Sequence, residues 1–188
     1  MTRAQADALI EAIPWDWMKD ACACALATGM RAAEILTVRF NQVDLSRRLA
    51  WVSAADAKSG RARAVPLNDE AVAIVERRKR THPSLVFTRN GRPQPQIDPK
   101  MFGRACARAG IEDLRFHDLR HTWASWHVQA GTPLFVLKEL GGWETLEMVK
   151  KYAHLNPEHL AAYAGAVTFW AQPAPEAKTP PARVALNA

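Results

Sequence analysis

The segment Leu140–Leu155, with the sequence LGGWETLEMVKKYAHL, holds one tyrosine whose spacing suggests chemistry. Tyr152 lies late in a predicted helix and follows Trp143 by nine positions (152 − 143 = 9). A tyrosine hydroxyl is a covalent nucleophile, but its free pKa of about 10 makes it weak at neutral pH. It is useful only where other groups bind the electrophile and stabilise developing charge. Its spacing from Met148 and Val149 fits a core tyrosine equally well, and the pattern alone favours that interpretation.

A set of basic residues elsewhere in the chain could serve this tyrosine. The sequence HDLRH groups His117, Arg120 and His121, while Arg31 and Lys58 stand alone upstream. A phosphodiester under attack passes through a pentacoordinate state with negative charge on its non-bridging oxygens. Two arginines can clamp those oxygens, an imidazole adds a donor, and a lysine can protonate the departing oxygen. The set therefore indicates phosphoryl-transfer chemistry.

HDLRH also fits a metal site. His117 and His121 stand at the i and i+4 spacing of two helical zinc ligands. Asp118 follows the first histidine where a metalloprotease has glutamate, and no third ligand is evident in the sequence. No P-loop or dinucleotide fingerprint is present, and no serine or cysteine has a convincing set of partners. Metal is the weaker alternative, and we expect neither a metal nor another cofactor.

A predicted helix, Phe116–Ala130, must position HDLRH. At about 100° per residue one of its faces collects bulky apolar side chains. That face is predicted to be core and consists of Leu119, Trp123, Trp126 and Ala130. His117, Arg120 and His121 lie on the opposite face, so we expect them to point into a cleft or solvent.

The remaining pattern predicts a single mixed α/β domain that is mainly helical. Further helices are predicted at Thr2–Ile13, Trp15–Ala27, Arg31–Thr37, Asn68–Arg80, Pro99–Ala109, Pro133–Leu140 and Pro157–Phe169. Short strands are predicted at Arg48–Ser53, Arg61–Leu67 and Ser84–Thr88. The first two strands are expected to pair, with Lys58 at or near the turn between them.

The composition describes a soluble globular protein with a basic surplus. The chain has 188 residues, of which 48% are hydrophobic and 23% charged, and its net charge is +6. The surplus comes mostly from arginine, which fits a polyanionic partner and bidentate phosphate contacts. The run Arg77–Arg80 ends a predicted helix, where the helix dipole alone favours cations, so we expect a solvated face there.

The cysteines and the hydropathy pattern predict where the protein resides. Cys22, Cys24 and Cys106 form no disulfide framework, and we expect them to be small buried hydrophobes. The sequence has no signal peptide and no apolar run long enough to span a membrane. A reducing cytoplasm fits these features.

Four motifs together resemble the tyrosine recombinase (phage integrase) family. They are ATGMRAAEILTVRFNQVDL at Ala27–Leu45, AKSGRARAVPL at Ala57–Leu67, HDLRHTWAS at His117–Ser125 and LGGWETLEMVKKYAHL at Leu140–Leu155. Their order and spacing match the family up to about residue 160, which is far more specific than any one motif. The resemblance implies an α+β catalytic domain, mainly α-helical with a small antiparallel β-sheet.

The resemblance implies a catalytic role for each residue that matches a family motif. Arg31 is similar to the first catalytic arginine, and Lys58 corresponds to the hairpin-turn lysine, the general acid for the 5′-oxygen. His117 and Arg120 match the H-x-x-R pair. Tyr152 resembles the nucleophile that forms a 3′-phosphotyrosyl link.

Three further positions carry weaker or altered matches. Trp143 occupies a position that is usually histidine and is tryptophan in some members. Glu34 resembles the acidic residue that supports the site from behind. His121 resembles the residue that commonly follows the H-x-x-R pair, and it too is expected to support the site from behind. Gly142 departs from the pattern as an extra residue beside the usual Leu-Gly-His opening, although the nine-residue step to Tyr152 is kept.

The domain plan and partners are also implied by the resemblance. We expect a catalytic domain at residues 1–170, a disordered Pro/Ala-rich C-terminal tail at 171–188, and no N-terminal core-binding domain. The implied partner is double-stranded DNA, bound by a homotetramer in the synaptic complex. The protein alone is expected as a monomer or weak dimer, and an accessory directionality factor can join it.

The implied function is DNA strand cleavage and rejoining in site-specific recombination, for integration and excision of a phage or mobile element. The phosphotyrosyl bond conserves the phosphodiester energy, so neither ATP nor metal is required. A type IB topoisomerase-like nicking–closing enzyme uses similar chemistry, but the LGGW…YAHL ending speaks against it. From another class, the chain could be a DNA-binding or partner-binding module without autonomous activity. The complete set of catalytic residue types speaks against a dead site.

Overall fold

The computed structural model describes residues 1–55 and 60–155 of the chain. The chain divides into two compact units, Met1–Asn156 and Pro157–Ala188, and the described residues belong to the first. Eight α-helices are formed among them: α1 (Arg3–Ala12), α2 (Asp16–Thr28), α3 (Ala32–Thr37), α4 (Asp69–Arg78), α5 (Pro99–Arg108), α6 (Phe116–Gln129), α7 (Leu134–Gly141) and α8 (Glu147–Lys150). The predicted helix Pro157–Phe169 and the predicted tail lie outside the described residues.

The seven helices whose bounds were predicted within this part are all present, with ends shifted by at most two residues. The helix predicted to hold Tyr152 ends before that residue, at Lys150. Thr2 caps α1, because its hydroxyl accepts the N–H of Gln5. Gly29 ends α2 in the left-handed conformation, with φ of +65°. These boundaries were predictable because the capping residues act on their own helix.

The sheet contains three antiparallel strands in the order β1 (Val43–Asp44), β2 (Leu49–Val52) and β3 (Arg63–Pro66). Ala50 of β2 pairs with Val65 of β3, and both side chains point into the core. This pair confirms the predicted hairpin, whereas β1 was not predicted because two residues are too short to show an alternating pattern. Residues 56–59, and Lys58 with them, lie outside the described part of the chain.

The predicted strand Ser84–Thr88 is wrong. This segment makes only one isolated bridge, between Arg39 and Leu85. The buried guanidinium of Arg78 donates hydrogen bonds to the carbonyl oxygens of Val86 and Thr88, at 3.3 and 2.8 Å. These two carbonyls thus accept from a side chain instead of from a neighbouring strand. The same contacts correct the expected solvated face at the end of α4, since Arg78 is buried while Arg77, which is ion-paired with Asp20, is more than half exposed.

Two hydrophobic clusters make up the core. The larger surrounds α2, and its members include all three cysteines, as predicted. The smaller cluster lies between α6, α7 and α8 and consists of Trp123, Ala124, Val128, Leu137, Val149 and Tyr152. Because α6 contributes to both clusters, it is buried on more than one side.

The predicted division of α6 into a core face and an open face is partly wrong. Leu119 and Trp123 are buried, but Trp126 is only partly buried beneath the Arg3 guanidinium, 3.6 Å from its ring centre, and Ala130 is exposed. On the other face, Arg120 is only 2% exposed, because α7 covers it. Periodicity located the apolar stripe but could not show which elements would pack over the rest of the helix.

None of the helices in the described residues is long and apolar enough to cross a membrane.

Candidate active site

Arg31 stands where the chain turns from α2 into α3, and its position depends on Glu34. Arg31 is the N-cap of α3 rather than a residue of its first turn. The Glu34 carboxylate accepts the backbone N–H of Arg31 at one oxygen and Nη1 of Arg31 at the other, both at 2.8 Å. Glu34 is 1% exposed, so its carboxylate is fixed by its partners. A single buried anion therefore orients both the backbone and the side chain of Arg31.

A second arginine contacts the same carboxylate from the sheet. Nη2 of Arg63, at the start of β3, lies 2.8 Å from Oε2 of Glu34. Burial by itself raises the pKa of Glu34, but Arg63 and then Arg31 outweigh it and hold that pKa below its usual value. The carboxylate is therefore ionised at neutral pH and joins α3 to the sheet.

Arg120 connects the ends of two helices. Its Nη1 donates to the carbonyl oxygen of Gly29 at 2.5 Å, and its Nη2 donates to that of Gly141 at 2.6 Å. Burial, followed by repulsion from Arg31 and Arg63, lowers the pKa of Arg120 to about 9. The guanidinium is therefore still charged at neutral pH but incompletely neutralised, which favours an oxyanion beside it.

Trp143 lies against this guanidinium through a turn that requires two glycines. The ring centre of Trp143 is 4.1 Å from Cζ of Arg120. A Cβ on Gly141 would lie 2.0 Å from Cζ3 of Trp143, and a Cβ on Gly142 would lie 2.4 Å from Cδ of Arg63. Gly142 also has φ of +64° as the C-cap of α7. The apparently extra Gly142 thus allows the chain to turn closely past Arg63 and present Trp143.

Tyr152 is buried in the smaller cluster, with its hydroxyl bonded to His121. The Tyr152 oxygen lies 2.5 Å from Nδ1 of His121, and the residue is 5% exposed. Tyr152 does not lie late in a helix as predicted, because α8 ends at Lys150 and Tyr152 occupies the turn that follows. Burial raises the pKa of Tyr152, although Arg120 opposes the shift. The phenol is therefore protonated at neutral pH, and it donates to Nδ1 when His121 carries its ring proton on Nε2.

The two histidines of HDLRH contact each other at the edge of the site. The rings of His117 and His121 meet edge to face with their centres 5.0 Å apart, and His117 is exposed. Burial lowers the pKa of both, aided by Arg120 at His117 and by Lys151 at His121. Both rings are therefore neutral at pH 7 and can accept protons. Within residues 1–55 and 60–155 there is no group of three or more His, Cys, Asp or Glu side chains that could hold a metal ion.

The predicted residues other than Lys58 are linked by direct or shared contacts. Arg31, Arg63 and Arg120 interact electrostatically around the Glu34 carboxylate, which gives the cluster a net charge of +2 (3 − 1 = 2). Trp143 joins this cluster to Tyr152, whose ring centre is 6.2 Å away. The arrangement places an incompletely neutralised cationic cluster beside a phenol with a ready proton acceptor. Such a site can bind a phosphate diester and attack it.

Arg63 was not among the predicted site residues. The sequence feature that could have identified Arg63 is its position in the strand. Arg63 lies two residues before the buried Val65 and so shares the inward face of β3. An arginine on the core side of a strand needs a buried partner. That partner, Glu34, is distant in the sequence, so the pairing could not be found from local pattern.

Comparison with known proteins gives a consistent set of relatives. The sequence matches the model of the phage integrase family over residues 1–159. It is 42% identical over 160 residues to the integrase of Salmonella phage P22, in an alignment that covers 78% of this chain and 41% of that protein. It is 31% identical over 148 residues to tyrosine recombinase XerD of Lacticaseibacillus casei, covering 72% of this chain and 50% of that protein. The chain thus spans half or less of the length of these two relatives.

Solved structures share the fold. The catalytic domain of bacteriophage HP1 integrase matches with a TM-score of 0.67 and 26% identity, covering 88% of this chain and 92% of that one. The Tn1549 transposon integrase in complex with a circular intermediate DNA matches with a TM-score of 0.74 and 20% identity, covering 89% and 65%. These matches confirm the predicted α+β fold, mainly helical with a small antiparallel sheet.

Proposed function

Since this chain belongs to the phage integrase family, we propose that it is the catalytic domain of a site-specific DNA recombinase that cleaves and rejoins strands through a 3′-phosphotyrosyl intermediate. The observation that carries the proposal is the Tyr152 hydroxyl, bonded to a neutral His121 beside the buried Arg120. This geometry combines a nucleophile, an acceptor for its proton and a cation for the attacked phosphate. We also propose a role in integration and excision of a phage or mobile element, and the name of the Salmonella phage P22 relative, integrase, supports the integration part.

In the proposed cleavage step, the Tyr152 oxygen attacks the phosphorus as its proton passes to Nδ1 of His121. The bond from phosphorus to the 5′-oxygen breaks, and Lys58 protonates that oxygen as it leaves. One phosphate ester is exchanged for another, so no external energy source is needed. Attack by a 5′-hydroxyl on the phosphotyrosine reverses the step and joins the strands.

The transition state places extra negative charge on the two non-bridging oxygens. Arg31 and Arg120 are the proposed clamp for these oxygens, and His117 and the indole N–H of Trp143 are proposed as further donors. Their groups are held before the substrate arrives, Arg31 by Glu34 and Arg120 by two backbone carbonyls. Little reorganisation is therefore required during the reaction.

The proposed partner is double-stranded DNA. The net charge of +6 supports this, and the Tn1549 integrase relative was solved with DNA. We propose a homotetramer in the synaptic complex, a monomer or weak dimer without DNA, and an accessory directionality factor as a further partner.

The proposed domain organisation is a catalytic domain at residues 1–170 and a C-terminal tail at 171–188. The three free, buried cysteines support a reducing cytoplasm.

A covalent adduct assay tests the proposal. A pool of randomised duplexes, each nicked so that cleavage releases a short strand, is incubated with the protein and denatured in SDS. Wild-type protein should yield an SDS-stable adduct, whereas Tyr152→Phe should fold and bind DNA but yield none. An adduct that survives in Tyr152→Phe identifies another nucleophile. Wild-type protein that binds DNA and forms no adduct supports a binding module without autonomous activity.

Recovered target sequences then separate recombination from topoisomerase-like chemistry. A recombinase joins strands from two different duplexes that carry the selected site. A topoisomerase-like enzyme, which nicks and reseals one duplex, relaxes supercoiled plasmid but does not exchange strands between duplexes. Strand exchange is the expected result.

A further inference from the structure

We propose that Arg63 is a positioning residue of the catalytic site, holding Arg31 and the Gly142–Trp143 turn in one fixed arrangement. The proposal rests on the function proposed above and concerns a side chain to which the sequence motifs gave no role. Arg63 does not need to touch DNA for this purpose. It acts through its neighbours, and its contacts explain how.

The first contact acts on Arg31. Arg63 donates from Nη2 to Oε2 of Glu34, and this same oxygen accepts the backbone N–H of Arg31. The other oxygen of Glu34 holds the Arg31 guanidinium. Loss of Arg63 would leave the buried Glu34 carboxylate with one cation instead of two. The carboxylate could then rotate toward Arg31 and draw its guanidinium away from the phosphate.

The second contact acts on the turn after α7. Arg63 donates from Nη1 to the carbonyl oxygen of Leu140 at 3.2 Å. Its Cδ and Nε lie so close to Gly142 that a Cβ there would be 2.4 and 2.8 Å from them. The neighbouring Gly141 carbonyl receives Nη2 of Arg120. Arg63 and Arg120 thus hold consecutive carbonyls, and Trp143 follows two residues later.

The third feature is the place of Arg63 in the sheet. Arg63 is the first residue of β3 and pairs with Val52 of β2. Its side chain is only 12% exposed and joins the sheet to both α3 and α7 through the contacts above. The strands flank the segment that contains Lys58, the proposed general acid. A shift of Arg63 would therefore disturb Arg31 through Glu34 and the turn before Trp143 through Leu140.

The alternative is that Arg63 supplies only positive charge to an electropositive site. The positioning role and the charge-only role predict different effects of replacing Arg63 with lysine. A lysine keeps the charge but has a single nitrogen on a flexible stem, whereas the guanidinium bonds Glu34 and Leu140 from two separate nitrogens. Positioning therefore predicts that Arg63→Lys is defective, and charge alone predicts that it is active.

The first experiment measures single-turnover adduct formation at saturating DNA, together with the dissociation constant. Arg63→Met should slow adduct formation by about 100-fold, the typical effect of misplacing a catalytic group by about 1 Å. Its affinity for DNA should match that of Arg80→Met, a control that loses the same charge at an exposed site beyond α4. Arg63→Lys should be nearly as slow as Arg63→Met. Wild-type rates in Arg63→Lys would overturn the proposal.

The second experiment asks which phosphate oxygen is affected. Duplexes carry a methyl group in place of one or the other non-bridging oxygen at the scissile phosphate, which removes the charge that the clamp must stabilise. One diastereomer should best restore adduct formation by Arg31→Ala, and the same diastereomer should restore adduct formation by Arg63→Met. The diastereomer that best restores Arg120→Ala should leave Arg63→Met slow. General loss of structure would give no such selectivity. Rescue by neither diastereomer, or by both equally, would overturn the role of Arg63.

Circular dichroism decides which variant is informative. If Arg63→Met fails to fold, Arg63→Gln and Arg63→Lys are subjected to the same two experiments. Failure of the wild-type protein to form any adduct overturns the proposed function itself. A wild-type adduct together with Arg63 variants as fast as Arg80→Met overturns only the positioning role.

Discussion

The hydroxyl oxygen of Tyr152 lies 2.5 Å from Nδ1 of His121, one α-helical turn beyond His117 in α6. This contact changes what the HDLRH motif means. Its last residue is the direct partner of the proposed nucleophile and not only a support behind the site. Because Tyr152 is buried and its pKa is raised, the phenol needs a proton acceptor, and we propose Nδ1 of His121 for that role.

The first prediction concerns the pH dependence of cleavage. The pKa of His121 lies below its usual value of about 6.5, because of burial and then of Lys151 and His117. As pH falls through that lowered pKa, Nδ1 becomes protonated and can no longer accept the Tyr152 proton. Adduct formation should therefore decline only on the acid side of about pH 6.5. Single-turnover rates across a pH series would reveal this decline, which is the acid limb of the pH–rate profile.

The matched control for this prediction is another histidine of the same helix. Burial and then Arg3 lower the pKa of His127, which bonds Thr132 and not Tyr152. His127→Asn should keep the acid limb, whereas His121→Gln should be slow at every pH and lose it. An unchanged acid limb in His121→Gln would assign the titration to another group.

The second prediction separates the general acid from the clamp. Lys58→Ala should lose most cleavage of normal DNA and recover with a 5′-bridging sulfur substrate, because a thiolate leaves without needing a proton. Arg31→Ala and Arg120→Ala should not recover, since they lack donors to the non-bridging oxygens. Equal recovery of all three variants would contradict the assigned roles. Adduct yields on paired oxygen and sulfur substrates provide the measurement.

The third prediction concerns the fit between Gly29 and Trp123. A Cβ on Gly29 would lie 2.4 Å from Cε3 of the Trp123 ring, which is buried and cannot move aside freely. Gly29→Ala should therefore lower the free energy of unfolding by about 3 kcal/mol or more, combining backbone strain with overpacking. Urea unfolding followed by circular dichroism measures the difference.

Gly110 provides the control for that substitution. It has φ of +66°, nearly equal to +65° at Gly29, but no atom lies within 4 Å of its hypothetical Cβ. Gly110→Ala should cost only the backbone strain, about 1 kcal/mol. Equal losses in the two variants would show that contact with Trp123 contributes nothing.

The fourth prediction is that inorganic phosphate stabilises the protein through the cluster of net charge +2. Phosphate at tens of millimolar should raise Tm by a few degrees over chloride at equal ionic strength, because it binds the folded state only. Arg120 is charged below its pKa of about 9, so the shift should shrink as pH rises through that value. Arg31→Gln should reduce the shift and the exposed control Arg80→Met should keep it. An equal shift in both would place the phosphate elsewhere.

Local signals in the sequence determined much of this protein. Helix caps, glycine stops and the hairpin depend on residues near each other in the chain. The bounds of α1 and α2 were therefore predicted to within one residue, and the β2–β3 pair was predicted correctly. The family was also determined by sequence, because four motifs in a fixed order leave few alternatives. The types of the proposed catalytic residues followed from those motifs.

Packing between distant segments decided the rest. Arg120 is covered by α7, and the carbonyls of Val86 and Thr88 bond the Arg78 side chain instead of a strand. Tyr152 lies in the turn after α8, where its hydroxyl bonds His121. Arg63 and Glu34 meet across 29 positions of the chain. Periodicity reports which face of an element is apolar but not what packs over its polar face. Which buried charges find partners is therefore decided only when the helices and the sheet are assembled.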